Sequence, residues 1–467
     1  MYVTTFDIGD AVHFDFSCLT GQNWNIQKEE LAKAEETIRR AAQAVTAIRN
    51  TGVDTASGEI VRFPHLPYIL DETLLMTEEE RHRLAELPQL GEKADAVISL
   101  GIGGSYLGNQ VIFDTACGEF WNLMGREERH GRPQVFFAGQ NEDPARLTAL
   151  VQYLKRQAEK KNGPFHVVVL VISKSGTTIE PMSALDVLRR KLPLFCKNIS
   201  FVAVTDKRKG CIHDLAEREG WLRFTVPEGI GGRFSVFSQV GLTLASLIGA
   251  DVNAFLAGAR LVEETCQEED LEKNPALFLA ALKYVAATRH GITAEVVMPY
   301  CEGLRSFGSW YAQLLGESLG KKSSTDGTEI HYGRTPVSAV GTTDMHSLTQ
   351  EHQEGKNNKL LQFISVREPA AELDVAYEEG ALSGHLPMSR ILEAARMSNE
   401  KALASAGRMS CSIGIKKYDL FHVGALMYFF FLAIAYEGAM AGVNAYNQPG
   451  VEAYKTILHG YLRRQAE

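Results

Sequence analysis

The feature that most constrains this chain is an apolar, mostly β-branched run at 167–172 that stops abruptly at Ser173-Lys174-Ser175-Gly176-Thr177-Thr178. A run of that length without polar alternation reads as a strand buried on both faces, as in parallel sheets. The residues after Thr178, through Ala184-Leu185-Asp186-Val187-Leu188, read as a helix. A strand that enters a helix through small hydroxylated residues presents unpaired backbone N–H groups at the positive end of the helix dipole. Such a turn can hold a phosphate, with hydroxyls and one ammonium completing the shell. The same residues also suit an ordinary capped turn, and the density of donors favours the anion.

Comparable segments recur. Apolar runs at 97–100, 135–137, 201–204 and 224–226 read as further strands, separated by lengths of chain that suit helices. The pattern restarts near residue 290. Strands are expected at 296–298, 337–340, 361–364 and 411–415, a helix at 307–319, a long apolar helix at 421–443 and a last helix from about 451. Strands alternating with helices build a parallel sheet covered on both faces, with ligands at the carboxyl ends of the strands. The expected fold class is therefore α/β: two doubly wound αβα sandwich domains of flavodoxin-like type, over 81–250 (phosphate-binding) and 251–467. Residues 1–80 read as an N-terminal helical extension packed on the larger domain. Its clearest helix, 26–49, puts Leu31, Ala34, Ile38, Ala41 and Ala42 on one face. Residues 241–258 read as helical rather than as a linker.

The chain has 467 residues and a formal net charge of −9. With no basic run, nucleic acid is not an expected partner, and an anionic ligand needs a local basic site in an acidic surface. Seven cysteines, an odd number without CxxC spacing, point to reduced thiols and a cytoplasmic location. The first residues show no basic segment leading into an apolar core, so no secretory leader is expected. The apolar stretch 421–443 is interrupted by His422 and Glu437. It reads as a helix buried in a soluble domain, and no membrane association is expected. His, Cys, Asp and Glu show no metal-ligand spacing, so no metal is expected.

Several loops carry candidate chemistry. Loop 101–108 departs from the dinucleotide fingerprint because Tyr106 stands at the third glycine position, and 316–322 is one residue short of a P-loop. The glycines of the first loop still let backbone N–H groups approach a ligand. In 229–235, Arg233 follows Gly229, Gly231 and Gly232 and precedes an apolar helix. An Arg so flanked suits burial and the stabilisation of negative charge developing on a substrate, although a lone Arg is as a rule a surface charge. Glu317 stands among apolar residues and glycines. It either faces solvent opposite Leu314 and Leu315 or is partly buried and suited to general-base work near neutral pH. His346 follows strand 337–340 on a Gly/Thr-rich loop, where a histidine is either solvated or a proton carrier. Gln448 and Lys455 flank the start of the last helix, and on the residues alone Lys455 reads as a surface lysine.

Taken together these segments resemble the glucose-6-phosphate isomerase family, in its bacterial branch, along nearly the full chain. The resemblance rests on Gly231-Gly232-Arg233-Phe234-Ser235 and Asn447-Gln448-Pro449-Gly450-Val451-Glu452-Ala453-Tyr454-Lys455. Gly103-Gly104-Ser105, the Ser173–Thr178 turn, Gly316-Glu317-Ser318 and Asp344-Met345-His346 fall in the expected order. It implies two sugar-isomerase (SIS) domains, a homodimer, and no metal or organic cofactor. It implies that Ser173, Lys174, Ser175 and Thr178 hold a sugar phosphate, with Gly104 and Ser105 lining the same pocket. Glu317 would move a proton between C2 and C1, and Arg233 would stabilise a cis-enediolate. His346 and Lys455 would assist ring opening and closing, and Gln448 would contact substrate. In this family the histidine matching His346 comes from the neighbouring subunit, so the active site would be shared. The activity implied is the interconversion of glucose 6-phosphate and fructose 6-phosphate, a step of glycolysis and gluconeogenesis. Two alternatives are an isomerase that also accepts mannose 6-phosphate and a non-catalytic sugar-phosphate sensor built on SIS domains.

Overall fold

The computed structural model describes residues 3–20, 25–377 and 384–466. The run at 167–172 is the third strand, His166–Ile172, of a five-stranded parallel sheet. From one edge the sheet runs Gln134–Ala138, Ala96–Leu100, His166–Ile172, Asn198–Thr205, Leu222–Thr225. Numbered along the chain, that order is 2-1-3-4-5. Alternate residues face opposite ways, as the two-residue period of a strand requires. Ile98, Val167, Val169 and Val171 pack with Leu154, Leu185 and Leu188 of two helices on one face. Val97, Val168, Leu170 and Ile172 join the larger core on the other face, with Ile112 and Leu242. Both faces are therefore buried, which explains the unbroken apolar run. The direction of winding reverses between Ala96–Leu100 and His166–Ile172. A crevice opens there beyond the carboxyl ends, where ligands bind in open α/β sheets.

The second sheet has six strands in the order Thr5–Ile8, Val12–Asp15, Met409–Ile415, Lys359–Val366, Ala294–Pro299, Thr335–Ser338. The last four are parallel. The first two form an antiparallel hairpin whose second strand pairs with Met409–Ile415, Phe14 opposite Ile413. The helical reading of 1–80 is thus corrected only over these two strands. Phe6, Ile8, Val12 and Phe14 alternate inward across the hairpin and are buried. Helix Lys28–Thr51 follows, opened by a Gln27/Glu30 capping box and closed by Gly52 at φ +70°. Its buried face contains the five residues expected.

Helix Leu420–Met440 is the centre of the molecule. It is long and apolar enough to cross a membrane, and here it is buried almost all round. It packs against Val252–Thr265, Pro275–Arg289 and Lys28–Thr51. The helical stretch expected at 241–258 is two helices, Gln239–Leu247 and Val252–Thr265. Gly249 at φ +71° turns the chain between them, and Asp251 caps the second.

A buried charge cluster fixes helix Arg305–Leu319, which carries Glu317. Lys283 Nζ donates to Glu295 Oε1 (2.8 Å) and to Tyr311 Oη (2.9 Å). Tyr311 donates in turn to Glu295. Arg334 pairs with both Glu295 and Glu437, and all four charged groups are essentially inaccessible. Two cations balance two carboxylates, and every carboxylate oxygen has a donor. A buried cluster is tolerable only when satisfied in this way.

Candidate active site

The turn after His166–Ile172 is folded on its own hydroxyls. Ser173 is buried, and its Oγ accepts the Gly176 N–H at 3.1 Å. Ser175 Oγ accepts from the N–H and hydroxyl of Thr177. Gly176 adopts φ +64°, and a Cβ there would fall 2.9 Å from the Ile212 nitrogen. Only glycine fits this turn against the start of helix Cys211–Glu219. Thr178 is the N-cap of Ile179–Lys191, and its side chain makes no capping bond, which leaves the hydroxyl for a ligand. Lys174 reaches across to the Ile230 carbonyl at 3.5 Å.

This turn lines a cleft of about 610 Å³ with Ser105, Gly232 and Gln448, and with Lys209 and Gly210 from the next loop. Gly104, next to Ser105, is packed so closely on the glycine loop that an ideal Cβ would sit 1.9 Å from the Gly232 oxygen. The phosphate-type turn, the loop after the first strand and the turn before the last helix thus meet at one crevice.

Arg233 joins this crevice to Glu317. The guanidinium is 2% exposed, and its five N–H donors find five acceptors. Nε donates to Ser318 Oγ (2.7 Å). Nη1 donates to Glu317 Oε2 (3.3 Å) and Gln448 Oε1 (3.0 Å). Nη2 donates to the carbonyls of Ala445 and Asn447. Burial pushes the guanidinium down to about 10, against the opposing pull of Glu317, so it remains a cation at neutral pH. Glu317 is about one-third exposed. Its other oxygen accepts from Gln313 Nε2 at 3.1 Å. The carboxylate is held on one side by a fixed cation and open on the other, which suits a group that must both take and return a proton.

A family model described as Phosphoglucose isomerase matches residues 87–465. The chain belongs to the phosphoglucose isomerase family. It is 33% identical over 452 residues to a glucose-6-phosphate isomerase of Carboxydothermus hydrogenoformans, covering 94% of this chain and 92% of that one. It is 33% identical over 464 residues to a glucose-6-phosphate isomerase of Rubrobacter xylanophilus, covering 97% and 98%. The crystal structure of a glucose-6-phosphate isomerase from Chlamydia trachomatis matches with a TM-score of 0.80 at 22% identity, covering 99% of this chain and 90% of that one. That match shows a shared fold.

Nine of the phosphoglucose isomerase positions read from the sequence gather here: Gly104, Ser105, Ser173, Lys174, Ser175, Thr178, Arg233, Glu317 and Gln448. Two do not meet them within this chain. His346 is exposed in the first turn of helix Met345–Glu354 rather than on a loop. Lys455 lies on helix Gly450–Ala466, paired with Glu452 at 2.8 Å. Sequence reasoning gave no role to Ser318, the acceptor for Arg233, or to Lys321, buried beside it. The i+4 spacing of Glu317 and Lys321 at a helix end was the available signal.

Proposed function

We propose that this chain is a glucose-6-phosphate isomerase, interconverting glucose 6-phosphate and fructose 6-phosphate through a cis-enediolate. The observation that carries this reading is the Arg233 bridge. One guanidinium holds a partly open carboxylate and a glutamine that lines the same cleft as the phosphate-type turn. Starting from the aldose, the Glu317 carboxylate removes the proton from C2. The C2–H electron pair becomes the C1=C2 bond, and negative charge moves onto the C1 oxygen. The same carboxyl group delivers its proton to C1 while the C2 hydroxyl proton passes, net, to the C1 oxygen, so that C1 becomes a hydroxymethyl carbon and C2 the carbonyl. Arg233 supplies fixed positive charge where the enediolate forms, inside a site where such charge acts strongly. Ser173, Lys174, Ser175 and Thr178 hold the phosphate, and Gly104 and Ser105 shape the floor beside it. Binding energy taken there, away from the reacting carbons, orients C2 toward Glu317.

In this reading His346 and Lys455 assist ring opening. His346 reaches the cleft of a second copy in a homodimer, which is consistent with its exposure. The cleft lies between lobes taken as 81–250 and 251–467, and the enzyme works in the cytoplasm. The deciding experiment is Glu317→Gln, assayed by coupled detection of glucose 6-phosphate formed from fructose 6-phosphate. Turnover should fall by roughly 10³-fold or more with KM little changed. Near-normal turnover would remove Glu317 from its role.

A further inference from the structure

The helix that presents Glu317 ends at Leu319, and Gly320 leads directly into Lys321. Lys321 is 6% exposed, where lysines are rare. Its Nζ donates to the backbone carbonyl of Glu317 and, at 2.8 Å, to that of Asn447. The Asn447 carbonyl also accepts Arg233 Nη2 at 3.0 Å. These bonds close into a ring: Glu317 carboxylate, Arg233, Asn447 carbonyl, Lys321, Glu317 carbonyl. The ring ties together the glycine loop, the end of the Glu317 helix and the turn that carries Gln448.

We propose that Lys321 is a positioning residue for proton transfer: its ammonium locks the helix end bearing Glu317 to the Asn447-Gln448 turn, so that Glu317, Arg233 and Gln448 keep one geometry. The inference rests on the isomerase reading above. A lysine at a helix C-terminus commonly satisfies the last carbonyls and does no more. Lys321 differs because its second acceptor lies on a distant segment that shares Arg233 and carries a cleft residue. Two buried cations on one carbonyl oppose each other, and the arrangement persists because each has further partners.

The lock is sensitive to its own charge. Burial, and next the Arg233 charge, push the Lys321 ammonium down to about 8. The charged groups facing it are Arg233 on the glycine loop, Glu317 on the preceding helix and Glu59 on the N-terminal segment. Once the proton leaves, the charge-assisted bonds to both carbonyls weaken.

The test measures kcat and KM for wild type, Lys321→Met and Lys321→Arg between about pH 6 and pH 9.5, bracketing that transition. Wild-type kcat should decline above about pH 8. Lys321→Met should lose on the order of 10- to 100-fold in kcat with KM within about threefold, and lose that decline. Lys321→Arg should keep most of kcat and move the decline out of range, because guanidinium does not titrate there. A Lys321→Met enzyme with kcat within about threefold of wild type overturns the inference. So does a Lys321→Arg enzyme that keeps the decline near pH 8, and this variant decides alone if the methionine form does not fold. A wild-type chain without turnover overturns the isomerase reading and this inference together. An active wild type with an indifferent Lys321 overturns only this one.

Discussion

The tightest contact in the site gives the sharpest test. An ideal Cβ on Gly104 lies 1.9 Å from the Gly232 oxygen, 2.1 Å from its carbonyl carbon and 2.7 Å from the Arg233 nitrogen. All three are backbone atoms, so no side chain can rotate away. Relief to an ordinary contact of 3.4 Å requires the glycine loop to retreat by roughly 1.5 Å, or the Gly104 turn to withdraw as far. Gly104→Ala should therefore cost about 1–3 kcal/mol of stability through overpacking. Arg233 follows Gly232 directly, so its guanidinium moves with the loop. Displacement on that scale should reduce kcat by about 100-fold. Coupled isomerase kinetics and urea unfolding read the two effects separately. Gly232→Ala is the internal control for stability, since a Cβ there meets nothing within 4 Å. It should leave the urea midpoint within the equivalent of about 0.5 kcal/mol. A Gly104→Ala enzyme with normal turnover and a normal midpoint would refute the claim that this close approach sets the position of Arg233.

Three further outcomes follow from the structure. Arg233→Lys keeps the charge but offers three donors to five acceptors, and should reduce kcat by roughly 10²- to 10³-fold in the coupled assay. Arg334→Met leaves Glu295 and Glu437 buried without their shared cation, and should cost about 3–5 kcal/mol in urea unfolding. Burial alone would raise the Glu295 carboxyl, but Lys283 and Arg334 outweigh it and hold the group well below its ordinary 4.5. A carboxyl lowered in the folded state contributes stability above its unfolded value and loses it as pH falls through its native one. Urea midpoints should therefore drop steadily below about pH 4.5, and Glu295→Gln in a chain that still folds should flatten that part of the curve.

The sequence revealed most where one residue type has one physical use. The run at 167–172 had to be a doubly buried strand, and three glycines before Arg233 had to bring backbone close to something. Helix 26–49 was legible from the spacing of its apolar face. The N-terminal hairpin was missed although Phe6, Ile8, Val12 and Phe14 alternate correctly. Two four-residue strands give a weak signal, and their partner, Met409–Ile415, is remote in sequence. The break at Gly249 was hidden because small and apolar residues dominate on both sides of it, from Gln239–Leu247 into the first half of Val252–Thr265. In the site, the residues that face a ligand stood out as motifs. Ser318 and Lys321 did not, because they act on Arg233 and on backbone carbonyls that no local pattern brings near.

The N-terminal hairpin has a consequence for how the chain is made. Among the described residues, its second strand pairs outside the hairpin with Met409–Ile415 alone. The five-stranded sheet, by contrast, is complete by Thr225. On a ribosome adding about 5–20 residues per second, the hairpin waits roughly 20–80 s for its partner strand, and Phe14 waits at least as long for Ile413 and Phe429. The hairpin is made long before the strand that pairs with it, so slowed translation between the two should leave the hairpin of nascent chains open to chaperones and proteases.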